Sequence, residues 1–277
     1  MVAIHQEEFI QSHDGKSLLF QRWLPGNDQP PKGQVLVVHG YGEHGARYRE
    51  IAHVFADHGL ATFAVDLRGH GRSEGQRGYI QNFAHYLNDV DVALERLDQN
   101  LPTFVLGHSL GGLISLDYAG TRRPLIAGLI ISNPFLALAM HVPAPKKKFA
   151  EVAANFVPRL ALPNGIKPEF ISRDKDICSR YTRDPLVFNI ATAGWVHETQ
   201  IAQERVRAHA QMTMPLLFLY SDADPIASPE ASRELAQKLQ SSDKTVQERP
   251  EELHEILNEL NRAELHKDIA EWITQRL

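Results

Sequence analysis

Apolar positions in this chain fall into short runs, some continuous and some alternating with polar residues, separated by stretches with helical spacing. Eight runs read as strands: Phe9 to Ser12, Leu18 to Trp23, Val35 to Val38, Ala61 to Val65, Thr103 to Leu106, Gly128 to Ile131, Leu216 to Tyr220 and Thr245 to Glu248. Their lengths and bounding turn formers are those of strands rather than helices. His13-Asp14-Gly15-Lys16 joins the first two through an Asp-Gly hairpin signal, whereas the later runs stand far enough apart for crossover helices. The pattern predicts an antiparallel start followed by a parallel sheet.

Helical periodicity supports the intervening segments. Tyr48, Ile51, Ala52 and Phe55 share one face, as do Leu265, Ile269, Trp272 and Ile273 near the end. Ser228 reads as an N-cap with Pro229 at the first helical position and Leu235 and Leu239 four apart toward the core. From Asn133 to about Ala208 the strand rhythm stops and a proline-rich stretch with helical pieces takes over. We read residues 134–208 as a cap inserted into a sheet domain made of residues 1–133 and 209–277. Its start, Pro134-Phe135-Leu136-Ala137-Leu138-Ala139-Met140, is apolar and is followed by Lys146-Lys147-Lys148. The expectation there is a buried cap helix beside a solvated charge run; the other reading is a face that docks on a membrane or micelle.

Composition narrows the function classes. With 43% hydrophobic and 23% charged residues, the 277-residue chain matches a globular protein with a sizeable core. A net charge of −5 and scattered Lys and Arg exclude nucleic acid as the expected partner. Cys178 is the only cysteine, so no intramolecular disulfide can form, and no Cys/His pair has metal-ligand spacing. Neither metal nor cofactor is expected, and Cys178 reads as an inert cap thiol. The opening Met1-Val2-Ala3-Ile4-His5-Gln6-Glu7-Glu8 lacks a basic and an apolar leader region, and no segment approaches the roughly 20 apolar residues of a membrane span. A cytoplasmic location is expected.

The chemistry concentrates at Gly107-His108-Ser109-Leu110-Gly111, between the apolar Phe104-Val105-Leu106 and an amphipathic stretch from Gly112-Leu113-Ile114. This reads as a nucleophile elbow, in which a serine stands exposed on a tight strand-to-helix turn that the glycines permit. Serine needs an imidazole to take its proton and a carboxylate to orient that imidazole. Of fourteen histidines, His108 lies in the elbow itself, and His39, His44 and His70 lie in Gly-rich loops upstream. With such an elbow the acid and then the base follow the serine in the chain. His254 falls just after the last expected strand, at the sheet edge where open α/β folds bind ligands, and is chosen as base. His209 and His266 read as surface histidines. In Tyr220-Ser221-Asp222-Ala223-Asp224-Pro225 we take Asp224 as the acid, with Asp222 the alternative or a support of the turn. An oxyanion hole needs two backbone N–H donors, each worth about 3 kcal/mol. Leu110 should supply one, and Tyr41, within His39-Gly40-Tyr41-Gly42, the other.

On these residues the chain resembles the α/β-hydrolases, and within them the monoacylglycerol lipase and lysophospholipase group. The motifs run in order along nearly the whole length: His39-Gly40-Tyr41-Gly42-Glu43-His44 with Arg47-Tyr48, Asp66-Leu67-Arg68-Gly69-His70-Gly71-Arg72-Ser73-Glu74-Gly75, Gly107-His108-Ser109-Leu110-Gly111-Gly112, Asp184-Pro185-Leu186, then Asp224 and His254. The resemblance implies a mostly parallel eight-stranded sheet flanked by helices with an inserted helical cap. It implies a Ser109-His254-Asp224 triad, an oxyanion hole from the Tyr41 and Leu110 amides, and a cap over an acyl-chain tunnel. It also implies that Glu43 and Arg47 lie near the polar, glycerol-side end of the pocket; an (i, i+4) salt bridge that stiffens the loop is their other role. The chain departs from the pattern at Ser221 and Glu251, where such enzymes often carry glycine, which matters only if the backbone there needs positive φ. The expected function is cofactor-independent hydrolysis of monoacylglycerols or similar single-chain lipid esters through an acyl-serine. Alternatives are a lysophospholipase, a short-chain carboxylesterase, a serine aminopeptidase, or a non-catalytic binding protein on the same fold. Headgroup, chain length and oligomeric state do not follow from these motifs.

Overall fold

The computed structural model describes residues 3–26, 30–140, 142, 148, 152–208 and 211–277. Eight strands form one sheet: β1 (Ile4–Gln11), β2 (Ser17–Leu24), β3 (Gly33–Val38), β4 (Leu60–Val65), β5 (Thr103–His108), β6 (Gly128–Ser132), β9 (Leu216–Ser221) and β10 (Lys244–Arg249), in the order β1-β2-β4-β3-β5-β6-β9-β10. β2 pairs antiparallel with both β1 and β4, and the remaining neighbours are parallel. This is the antiparallel start and parallel continuation that the sequence pattern predicts.

The inner strands read as continuous apolar runs because both faces are covered. In β3, Leu36 and Val38 join one core layer and Val35 and Val37 the other. The first layer packs under α2 (Ala84–Glu95) and α3 (Leu110–Arg122), and the second under α1 (Arg49–Asp57) and α7 (Arg262–Thr274). Ile51, Ala52 and Phe55 of α1 and Leu265, Ile269, Trp272 and Ile273 of α7 are buried, as their spacing predicts. In α6 (Pro229–Lys238), Ser228 caps the helix by accepting from the Ala231 amide, with Pro229 in the first turn.

Three expectations need correction. The first strand begins at Ile4 rather than Phe9; β1 is an edge strand exposed at every position but Ile10, so no buried face imposes alternation on His5-Gln6-Glu7-Glu8. His266 is buried, not on the surface: it lies on the inner side of α7 and bonds the Leu257 carbonyl oxygen at 2.8 Å. His209 lies outside the described residues. Residues 134–140 form no helix; Pro134 opens a segment that bonds to the loop after β9, with the Ala139 amide donating to Ile226 at 2.8 Å and the Ser228 amide to Ala137 at 2.9 Å. Of the lysine run only Lys148 is among the described residues, and it is exposed.

The rest of the long β6–β9 connection contains β7 (Ala161–Pro163), α4 (Lys175–Arg183), β8 (Ile190–Thr192) and α5 (Ala193–Ala208). β7 and β8 form a two-stranded antiparallel sheet, and α5 packs on α3, where Arg205 pairs with the buried Asp117. Among the described residues no helix is long and apolar enough to cross a membrane.

Candidate active site

Strand β5 ends at His108 and α3 begins at Leu110, leaving Ser109 on the turn with φ 54° and ψ −116°. The strained conformation belongs to the serine itself. Gly107 and Gly111 have ordinary φ and serve by leaving room: a Cβ on Gly107 would come 2.5 Å from the Gly111 carbonyl oxygen, and one on Gly111 would overlap the Val38 carbonyl. The turn is held by the Ser109 amide donating to Ser132 at 3.0 Å and by the Phe135 amide donating to the Ser109 carbonyl at 2.9 Å.

The loops after β9 and β10 bring Asp224 and His254 to Ser109. Asp224 Oδ2 accepts from His254 Nδ1 at 2.7 Å, and His254 Nε2 lies 2.8 Å from Ser109 Oγ. A carboxylate can only accept, so Nδ1 carries the proton and Nε2 is free to accept from the serine hydroxyl. The other carboxylate oxygen, Oδ1, accepts from the amides of Ile226 and Ala227 at 2.8 and 3.0 Å, which fixes the acid's orientation. All three side chains are buried. Burial works against the His254 cation, but the Asp224 charge and hydrogen bond, with Glu255 and Glu43 nearby, outweigh it and hold the pKa above its ordinary 6.5.

Asp222 bonds outside this series. Its carboxylate accepts from the Glu251 amide at 2.9 Å, linking the acid loop to the histidine loop. Glu251 has φ 62°, so one of the two expected glycine positions does require the left-handed region, while Ser221 does not. His108 bonds Ser132 through Nδ1 and its ring stands 5.0 Å from that of His254. Burial, then the neighbouring His254, push its pKa down to about 4, so at neutral pH it is uncharged beside His254.

The loop after β3 is held on both sides of Gly40. Its amide donates to Glu43 Oε1 at 2.6 Å, and its carbonyl oxygen lies 2.7 Å from His39 Nδ1, while His39 Nε2 accepts from Leu67 at 2.9 Å. The peptide whose N–H belongs to Tyr41 is therefore fixed through its carbonyl. Leu110, first in its helix, has no intrahelical acceptor for its N–H. The Tyr41 side chain also has a function beyond the glycines around it: its hydroxyl donates to the Ile190 carbonyl at 2.7 Å and its ring lies 3.9 Å from that of Trp195. A second tie joins the same regions, with His44 Nε2 2.8 Å from Asp184 Oδ2.

Glu43 and Arg47 form the (i, i+4) ion pair, at 2.6 Å, and a third residue completes it. Arg47 also donates to both oxygens of Glu255 at 2.6 and 2.8 Å. Glu255 follows His254 directly and was not singled out by sequence; a carboxylate next to the candidate base is the signal that was available. Burial alone would favour neutral Glu43, but Arg47 first, then His108 and His39, hold its pKa well below the ordinary carboxylate value.

Above these groups lies a cavity of about 920 Å³. Ser109, His254, Gly40 and Tyr41 line its floor, Glu43 and Glu255 supply carboxylates, and Phe135, Leu138, Leu160, Leu162, Trp195 and Ile226 form much of an apolar wall. Arg47 lies behind the two carboxylates and is not part of that wall. Among the described residues no group of three or more His, Cys, Asp or Glu could hold a metal.

Comparison with known proteins identifies the family. Residues 29–261 match the family described as serine aminopeptidase, S33. The chain is 30% identical to a monoacylglycerol lipase of Mycolicibacterium smegmatis over 95% of both chains. It is also 30% identical, over 97% of its length, to an uncharacterized abhydrolase domain-containing protein of Dictyostelium discoideum, of which it spans only 29%. Among solved structures, a monoacylglycerol lipase of Paleococcus ferrophilus superposes with a TM-score of 0.84 at 32% identity, covering 100% of each chain. The chain thus belongs to this α/β-hydrolase family, alongside the monoacylglycerol lipases, and is a serine ester hydrolase.

Proposed function

We propose that the protein hydrolyses monoacylglycerols or similar single-chain lipid esters, releasing fatty acid and alcohol through an acyl enzyme on Ser109. The observation that carries this reading is the hydrogen-bonded Ser109–His254–Asp224 series at the floor of a large, mostly apolar cavity. His254 removes the Ser109 proton as Oγ attacks the ester carbonyl, then returns it to the leaving alcohol, and repeats the cycle with water to free the acid. Asp224 keeps His254 in the tautomer that accepts at Nε2 and stabilises the imidazolium. The Tyr41 and Leu110 amides hold the oxyanion. The acyl chain lies against Phe135, Leu138 and Trp195, where each buried CH₂ contributes roughly 0.8 kcal/mol.

Residues 134–208 act as the cap in this reading, and Glu43 marks the polar end of the cavity, with Arg47 neutralising it from behind. Phe156 (81% exposed) and Val157 are exposed a few positions before Leu160 and Leu162, which line the cavity. This apolar rim meets the membrane or micelle that presents the substrate. The single, half-buried Cys178 suits a reducing compartment such as the cytoplasm.

The test is a matched panel: monoacylglycerol, lysophosphatidylcholine, triacylglycerol and p-nitrophenyl esters of increasing chain length. The reading predicts preference for monoacylglycerol and, in the p-nitrophenyl series, about a fourfold gain in kcat/KM per added CH₂ until the cavity is filled. Preference for lysophosphatidylcholine reassigns the headgroup, and activity on short activated esters alone makes the protein a general esterase.

A further inference from the structure

We propose that Asn133 is a positioning residue that locks the nucleophile, acid and base loops into one register. The proposal rests on the Ser109–His254–Asp224 assignment and not on the headgroup. Asn133 follows β6 directly, 1% exposed, and its backbone amide donates to Leu219 of β9 at 2.9 Å. Its side-chain oxygen accepts from the Ser221 amide at 2.7 Å, at the start of the acid loop. Its side-chain nitrogen donates to the His254 carbonyl at 2.7 Å and lies 3.3 Å from that of Leu253. Its chain neighbours hold the nucleophile: Ser132 accepts from the Ser109 amide, and Phe135, two residues on, donates to the Ser109 carbonyl.

One amide therefore spans the two loops that must hold the 2.7 Å His254–Asp224 contact, while its own peptide segment holds Ser109. The geometry asks for asparagine in particular. φ is 40°, in the left-handed region that asparagine tolerates better than most residues. The next residue is Pro134, which further restricts the backbone before it. A residue kept in so disfavoured a conformation is held by its surroundings. Here those surroundings are the catalytic loops, and the donor–acceptor pair of a primary amide satisfies one amide N–H and one carbonyl at the same time.

Reactions of this kind lose about 10²-fold in rate for a misplacement of about 1 Å, so a loosened bridge should appear in kcat rather than in binding. It should also appear in the titration of His254, which faces Asp224 across the hydrogen bond, His108 at 5.0 Å between rings, and Glu255 and Glu43 beyond. Weakening the Asp224 contact removes the main support of the charged imidazole and lowers the acid limb.

The experiment uses p-nitrophenyl butyrate, whose hydrolysis needs the three catalytic groups but no lipid headgroup, so failure of the monoacylglycerol assignment leaves this test readable. Asn133→Gly keeps the positive φ accessible and removes both side-chain bonds. Asn133→Asp keeps the acceptor for Ser221 and loses the donor to His254; it serves should the glycine variant not fold and is read by kcat and KM alone, because its added carboxylate itself favours the charged imidazole. The proposal predicts a folded variant with kcat reduced by at least about 10-fold, KM within about threefold of the parent, and an acid limb moved to lower pH. A folded variant with parental kcat overturns it. So does a loss of kcat with an unmoved acid limb, which would make Asn133 a stabilising residue only.

Discussion

Replacing Arg47 by methionine tests the buried charge arrangement beside the cavity. The guanidinium is 11% exposed and donates three hydrogen bonds, one to Glu43 and two to Glu255, at 2.6–2.8 Å. Methionine fills similar volume but leaves two buried carboxylates facing each other without a cation. Glu43 keeps the Gly40 amide and the Tyr48 hydroxyl, and Glu255 keeps Asn258, so neither loses all its partners. Breaking a buried pair in this way costs about 3–5 kcal/mol. At about 2.1 cal/mol/K per residue, the unfolding entropy of a 277-residue chain is about 0.6 kcal/mol/K, so a loss of about 4 kcal/mol lowers Tm by about 7 °C at neutral pH. The pH dependence has a definite sign. The Glu43 pKa is held down in the folded protein, so its contribution is present above the ordinary value of 4.5 and is lost as pH falls below it. The variant lacks that contribution, so the Tm gap should narrow at pH 4. Thermal unfolding followed by circular dichroism at pH 7 and pH 4 reads both. A gap below 2 °C at pH 7, or one that widens at pH 4, refutes the reasoning.

Because His254 must be neutral to accept the Ser109 proton, kcat/KM should rise with pH through an apparent pKa above 6.5, and an acid limb at or below that value contradicts the raised pKa. Asp224→Asn leaves the loop in place but removes the charge that fixes the tautomer; steady-state assays should show kcat down about 10⁴-fold, and a loss under 10-fold would point to another acid. At Glu251, with φ 62°, glycine should leave kcat within about twofold and raise stability by up to about 1 kcal/mol, whereas valine should cost about 1–2 kcal/mol in denaturant titration. A stabilising valine would mean that the loop adopts another conformation.

Much of the sheet was legible because its inner strands are buried on both faces, so Val35-Leu36-Val37-Val38 and Leu216-Leu217-Phe218-Leu219 stand out as apolar runs. The candidates Ser109, Asp224 and His254 were legible for a different reason: each follows the C-terminal end of a strand, where chain order and turn chemistry restrict the choice. What was hidden depends on contacts between distant segments. β1 has no buried face to write a pattern into its sequence, and β7 and β8 are three residues each within a proline-rich stretch. Residues 134–140 have the apolar content of a buried helix, but their backbone is taken up by the loop after β9, which no local spacing announces. Glu255 completes the Arg47 ion pair across 208 positions, and Asn133 reaches His254 across 121, so neither role could be read from its own neighbourhood. The departures at Ser221 and Glu251 were visible, yet only the backbone distinguishes the position that needs positive φ from the one that does not.

Rapid quenching of the protein during turnover of a p-nitrophenyl ester, followed by intact-mass analysis and peptide mapping alongside Ser109→Ala, tests whether Ser109 carries the acyl group. An adduct of acyl-group mass is expected on the peptide containing Ser109. In the folded alanine variant no adduct is expected, with kcat lower by about 10⁶-fold, since the catalytic groups act as a unit. An acyl adduct elsewhere, or near-parental turnover by Ser109→Ala, would contradict that role for Ser109.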